Sequence, residues 1–109
     1  MYWLESTVSK RINIFIISLT YIVDLEKVDE LLPLHVEYLK EQYEKGNFIA
    51  SGRKVPRRSG IIFSKLKSLE KLQEVLNQDP FKINNLATYK IQEFMPSMTS
   101  NEFINLKEE

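Results

Sequence analysis

No cysteine occurs in the 109 residues, which removes disulfides, thiolate metal sites and cysteine nucleophiles together. Histidine is nearly as scarce, with one copy, so a metal would have to rely on scattered carboxylates and none is expected. An excess of charge of one sign is missing as well. Fifteen basic and fifteen acidic side chains cancel to a formal net charge of +0, which argues against broad attraction to nucleic acid or an anionic membrane. No apolar run approaches the ~20 residues that span a bilayer, and no signal peptide opens the chain. The expectation is a cytoplasmic protein with no membrane partner. Internal repeats, low-complexity tracts, P-loops and dinucleotide fingerprints are also absent, so no cofactor is expected.

What is present is an ordinary globular composition, 43% hydrophobic and 28% charged. A single domain fits this length, and it can bury roughly two thirds of the surface its unfolded chain exposes. Residues 1–11 form an aperiodic N-terminal extension, 12–96 the domain, and 97–109 a mostly polar tail.

Ile12 to Tyr21 is a β-branched and aromatic run that predicts a strand apolar on both faces. Leu25 to about Lys45 predicts a helix closed by Gly46, with Val28, Leu32, Val36, Leu39 and Tyr43 near the 3.6 period. Pro33 interrupts that helix, at ~3 kcal/mol in an interior position. The expectation is either a kink or a short first helix, with Pro33 in the opening turn of a longer second one. Phe48 to Ser51 predicts a short strand, Gly52 to Gly60 a loop, and Gly60 to Leu66 a third strand. Ser68 is placed to cap a helix that buries Leu69, Leu72, Val75 and Leu76. In Leu86 to Phe94, Ala87, Tyr89 and Ile91 alternate with Thr88, Lys90 and Gln92, as in a strand with one wet side.

The order is β-α-β-β-α-β, an α+β, ferredoxin-like unit with a four-stranded antiparallel sheet. Its usual arrangement centres the first and third strands, the two runs apolar on both faces. Two helices cover only one face of such a sheet. The economical cover for the other is a second copy, giving a homodimer through the sheet faces.

His35 lies three residues after Leu32 and four before Leu39, on the face of the core residues. Two readings are open: a packed, hydrogen-bonded core histidine, or a general base facing a cleft. If Pro33 opens the helix, His35 sits in its first turn, where the dipole and partial burial favour the neutral ring. Asp79 before Pro80 reads as the N-cap of a short helix, with Phe81 a plug on the core. Capping does not prevent the same carboxylate from orienting an imidazole. The stretch from Ser51 to Gly60 holds four of the fifteen basic residues in six positions. It reads as a solvated loop, or as a site where Ser51, Gly52 and Arg53 receive an anionic group through glycine-permitted N–H groups and an arginine.

Leu32-Pro33-Leu34-His35, Phe48-Ile49-Ala50-Ser51-Gly52, Pro56-Arg57 with Gly60-Ile61-Ile62, and Asp79-Pro80-Phe81 stand in order and at characteristic separations. Through them the chain, from about Ile14 to Pro96, resembles the YciI-like family of the dimeric α+β barrel superfamily, which also holds muconolactone-isomerase-like enzymes. The resemblance implies a ferredoxin-like fold dimerising as an α+β barrel, and a pocket where His35 and Asp79 meet. Some relatives are dehydrochlorinases of chlorinated aromatic breakdown products, with the His-Asp pair as the proposed catalytic unit. Many others have no assigned reaction. Arg53 departs from the pattern, since a proline often follows the Ser-Gly pair.

The resulting expectation is a cofactor-independent lyase or isomerase. His35 moves a proton on a small cyclic or enolisable ligand, Asp79 fixes its tautomer, and Ser51, Gly52 and Arg53 hold oxyanion charge. The alternative is a non-catalytic metabolite-binding or regulatory module on the same fold. An RNA-binding domain shares this element order, but Gly60-Ile61-Ile62-Phe63 lacks the alternating aromatic pair that stacks bases.

Overall fold

A computed structural model describes residues 13–107. The 1–11 extension and Ile12, the expected first residue of the opening strand, lie outside the described residues. Strand β1 is Ile14–Tyr21, helix α1 Leu25–Glu44, β2 Phe48–Arg53, β3 Ser59–Ser64, α2 Leu69–Leu76, α3 Pro80–Ile83 and β4 Ala87–Phe94. A 3-10 helix, Asn101–Leu106, follows in the tail. The sheet is antiparallel throughout with order β2-β3-β1-β4, so the first and third strands are central, as the patterning predicts. The architecture is the α+β, ferredoxin-like one. No helix among the described residues is long and apolar enough to cross a membrane.

The core lies between the sheet and the helices. Phe15, Ile17 and Leu19 of β1 and Ile62 of β3 meet Val28 and Tyr38 of α1 and Leu72 and Leu76 of α2, all buried. Each such side chain contributes roughly 1.5–3 kcal/mol on leaving water. Local signals place the ends of the elements. Ser68 Oγ accepts the Lys71 N–H to start α2. After α1, Gly46 takes a φ of 76°, while the Gly46 and Asn47 N–H groups return to the Tyr43 and Gln42 carbonyls. That left-handed closure favours glycine.

Several expectations change. Helix α1 runs through Pro33 as one element, so Pro33 does not open a second helix and His35 is mid-helix, away from the first-turn dipole. Pro33 and Asp29, four residues before it, are both exposed, which leaves the disrupted turn on the solvent side. The buried stripe of α1 is Val28, His35, Tyr38 and Gln42, while Val36 and Tyr43 are 37% and 39% exposed. The helix is rolled from its purely apolar face because His35 and Tyr38 find polar partners beneath it. Leu69 is exposed, being in the first turn of α2 where the core does not reach.

Gly52 and Arg53 are not in a loop. They extend β2 and pair with Ile61 and Gly60, and the connecting loop shrinks to residues 54–58. Gly60 permits this pairing: a Cβ there would stand 3.3 Å from the Gly52 carbonyl oxygen. Strand β3 ends at Ser64 rather than Leu66, because the Ser64 hydroxyl donates to the Asn47 carbonyl and accepts the Leu66 N–H, turning the chain.

Among the described residues, the other sheet face is only partly covered. Ile14 is buried and Ile16 and Ile61 half-buried, but Phe63 and Phe94 are 39% and 45% exposed. Thr88, Lys90 and Gln92 are open to solvent, the wet side expected of β4.

Candidate functional site

Asp79 is the hub. Helix α2 ends at Leu76, and Asp79 caps α3 with Pro80 in the first position. Its Oδ1 accepts the Phe81 N–H at 3.0 Å. The same oxygen lies 2.7 Å from His35 Nδ1, which reaches it from α1 across 44 residues of sequence. Oδ2 receives the Tyr89 hydroxyl of β4 at 2.5 Å. Asp79 is fully buried, and a buried carboxylate is tolerable only with donors such as these three.

Two phenols bracket the pair. Burial first, and then the negative charge of Asp79, push the Tyr89 hydroxyl well above the ordinary tyrosine range, so it remains a donor. The same causes raise Tyr38, whose hydroxyl donates to the Val75 carbonyl at 2.7 Å.

The His35 ring is fixed as closely as its partner. It lies flat on Phe81, with centroids 4.0 Å apart and planes 6° from parallel, and Tyr21 meets Phe81 edge-on. With Asp79 as acceptor, Nδ1 carries the proton and Nε2 is the basic nitrogen of the neutral ring.

His35 forms part of an open cleft of about 410 Å³. Leu32, Val36 and Leu39 of α1 form one wall, and Leu19 and Ile62 of the sheet form the floor. Ser51, Gly52 and Arg53 of β2 line its far side, with Arg57 of the 54–58 loop. The volume lies within the usual small-molecule range of ~300–1,000 Å³. The Ser51 hydroxyl is tied to that of Tyr43 at 2.5 Å. Arg57 Nη2 donates to Asp29 at 2.7 Å, and its guanidinium carbon lies 6.0 Å from the centre of the Tyr21 ring.

The residues singled out in the sequence are therefore divided. His35, Ser51, Gly52 and Arg53 share one cleft, while Asp79 stands behind His35 and does not line it. The expected glycine-permitted cradle is absent, because Gly52 is in a paired strand without positive φ. Tyr89, Phe81 as a stacking ring, and Arg57 extend the site beyond those residues. Tyr89 had a signal: a phenol on the buried side of an alternating strand requires a polar partner. Arg57 had only the Pro56-Arg57 piece of the family resemblance as a signal, since nothing else in the spacing separates it from the other three basic residues of its stretch.

No curated protein matches the sequence. A family model does, over residues 14–95, from the first strand to just past the last and including every residue of the site described above. The chain belongs to the family of the YCII-related domain.

Proposed function

We propose that this YCII-related protein is a cofactor-independent enzyme that moves a proton on a small enolisable molecule, as a lyase or an isomerase. The 2.7 Å contact between His35 Nδ1 and Asp79 Oδ1, at the edge of a small-molecule-sized cleft, carries this reading. Nε2 takes a proton from a carbon made acidic by an adjacent carbonyl, and the C–H electron pair moves into an enolate. In an isomerisation Nε2 returns the proton to another carbon. In a dehydrochlorination the pair forms a C=C bond as chloride departs, and the proton passes to solvent.

Asp79 acts as a positioning residue that stabilises the imidazolium, and Tyr89 and the Phe81 N–H hold Asp79 in place. Ser51, Gly52 and Arg53 form the side of the cleft that receives the substrate's oxygen atoms. Proton NMR in D2O tests the reading on a panel of enolisable cyclic ketones and lactones. Deuterium should enter at one carbon with wild type, and the rate should fall at least about 100-fold in His35→Ala. Exchange unchanged by that substitution overturns it, whereas binding without exchange supports the metabolite-binding alternative.

We further propose that a second copy covers the open sheet face. Phe63 and Phe94 are large side chains exposed there beside the half-buried Ile16 and Ile61, an apolar surface of the kind interfaces use. The small-molecule cleft lies on the opposite, helix-covered side of the sheet.

A further inference from the structure

Two cations line the cleft, Arg53 and Arg57, and among the described residues no carboxylate does. The two are held differently. Arg57 is only partly exposed, anchored by Asp29 at 2.7 Å and placed beside Tyr21. A guanidinium held this way gives up little side-chain freedom when a ligand arrives, and its remaining N–H groups keep the fork geometry that suits a carboxylate. Arg53 is exposed and, among the described residues, has no ion pair. The charge of Arg57 is offset by Asp29, so the cleft presents two sets of donors but about one uncompensated positive charge.

The rest of the cleft sets the shape and charge of its occupant. Its walls are apolar, from Leu32, Val36 and Leu39 on one side to Leu19 and Ile62 on the other. Behind His35 lies the fully buried Asp79 carboxylate, whose negative charge disfavours a second anion beside the imidazole. A dianion would exceed the single free positive charge, and a neutral molecule would leave Arg53 unanswered.

We infer that the cleft selects small, apolar-bodied monocarboxylates, with Arg57 and Arg53 as the receptors of the carboxylate and the reacting carbon directed toward His35. The inference rests on the cleft being the substrate site, and it adds the substrate class and Arg57 as a specificity-determining residue. Arg57 is held for this task by Asp29 and Tyr21.

The test is an NMR titration of the full chain with three probes of one shape: benzoate, benzamide and phenylphosphonate. Benzoate should shift the side-chain signals of Arg57, Arg53 and His35 and bind about tenfold or more tightly than benzamide. Phenylphosphonate as its dianion should bind more weakly than benzoate. Arg57→Met and Arg53→Met, both at surface positions, should each weaken benzoate by about tenfold without changing benzamide.

His35→Ala should retain benzoate binding, which separates this inference from the proposed proton transfer. Loss of exchange chemistry with benzoate selectivity intact leaves the substrate class standing. Equal affinity for benzoate and benzamide, tighter binding of the phosphonate, or indifference to Arg57→Met overturns the inference.

Discussion

Phe81 supports His35 twice. Its ring stacks on the imidazole at 4.0 Å, and its backbone N–H donates to the same Asp79 oxygen that receives His35 Nδ1. The short Asp79-Pro80-Phe81 segment therefore supplies a carboxylate, the helix start that aims it, and the surface the histidine rests on. Pro80 contributes by fixing its φ near the helical value at the first position, where no N–H is required.

Replacing Phe81 by Leu keeps the backbone donor and removes the stack. The cavity and the lost ring contacts with His35 and Tyr21 should cost about 1–3 kcal/mol. Urea denaturation reads the loss, and the His35 ring signals should broaden as the imidazole samples more orientations. A variant as stable as wild type, with sharp signals, contradicts this account.

Asp79→Asn and Asp79→Ala should differ. The Asn oxygen can still accept from Phe81 and His35, so the cost is about 1–3 kcal/mol. Ala removes the cap and leaves Tyr89 and His35 unpartnered around a buried gap, so a loss of about 3–5 kcal/mol is expected. In wild type, nitrogen-15 shifts of His35 should report a protonated Nδ1 in the neutral ring. In Asp79→Ala the preference for that tautomer should disappear.

Tyr89 makes the protein sensitive to alkali. Burial and the neighbouring Asp79 charge raise its phenol in the folded state, so its stabilising contribution is complete below the ordinary tyrosine pKa of ~10. Above that pH an unfolded chain releases the proton while the folded one keeps it. The unfolded state then binds fewer protons, and stability falls by at most about 1.4 kcal/mol per pH unit for this group. Tyr89→Phe should flatten the fall above pH ~10 while lowering stability at neutral pH by about 1–3 kcal/mol, since Asp79 Oδ2 loses its donor. Denaturation midpoints measured from neutral to alkaline pH check both.

Gly60→Val should close the cleft while sparing the His35–Asp79 contact. Gly60 pairs with Leu19 on the helix-facing side of the sheet and lines the cleft. A side chain there enters the cleft, and its Cβ meets the Gly52 carbonyl at 3.3 Å. Small adjustments at that distance cost about 1–3 kcal/mol. The histidine tautomer should be unchanged while benzoate binding is lost, both read by NMR.

The partly bare sheet face yields a prediction about assembly. Light scattering of the wild type should give twice the 12.9 kDa chain mass, and Phe63→Lys should return it toward one. Phe63 is exposed within a single chain, so the substitution should leave the monomer's fold intact. A wild type that scatters as a single chain overturns the dimer.

Element order and most element types were legible in the sequence because they follow from local rules. Alternation in Ala87 to Ile91, the cap at Ser68, the Asp79-Pro80 start and the left-handed Gly46 each concern only a few neighbouring dihedrals. A strand apolar on both faces pointed to the centre of the sheet, which is where β1 and β3 lie. The motifs shared with the family also named His35 and Asp79 as partners.

The roll of α1 was not local. An apolar stripe through Val36 and Tyr43 and a mixed one through His35 and Gln42 both match a helical period, and the choice depends on what lies beneath. Only the assembled fold brought Asp79 under His35 and Tyr89 beside Asp79, so that burying a polar face became favourable. Likewise, the hairpin pairing through Gly60 extended β2 and brought Arg53 and Arg57 to one cleft. Backbone preferences decide the elements, but hydrogen bonds and burial between distant segments decide which faces meet, and the site exists only where they do.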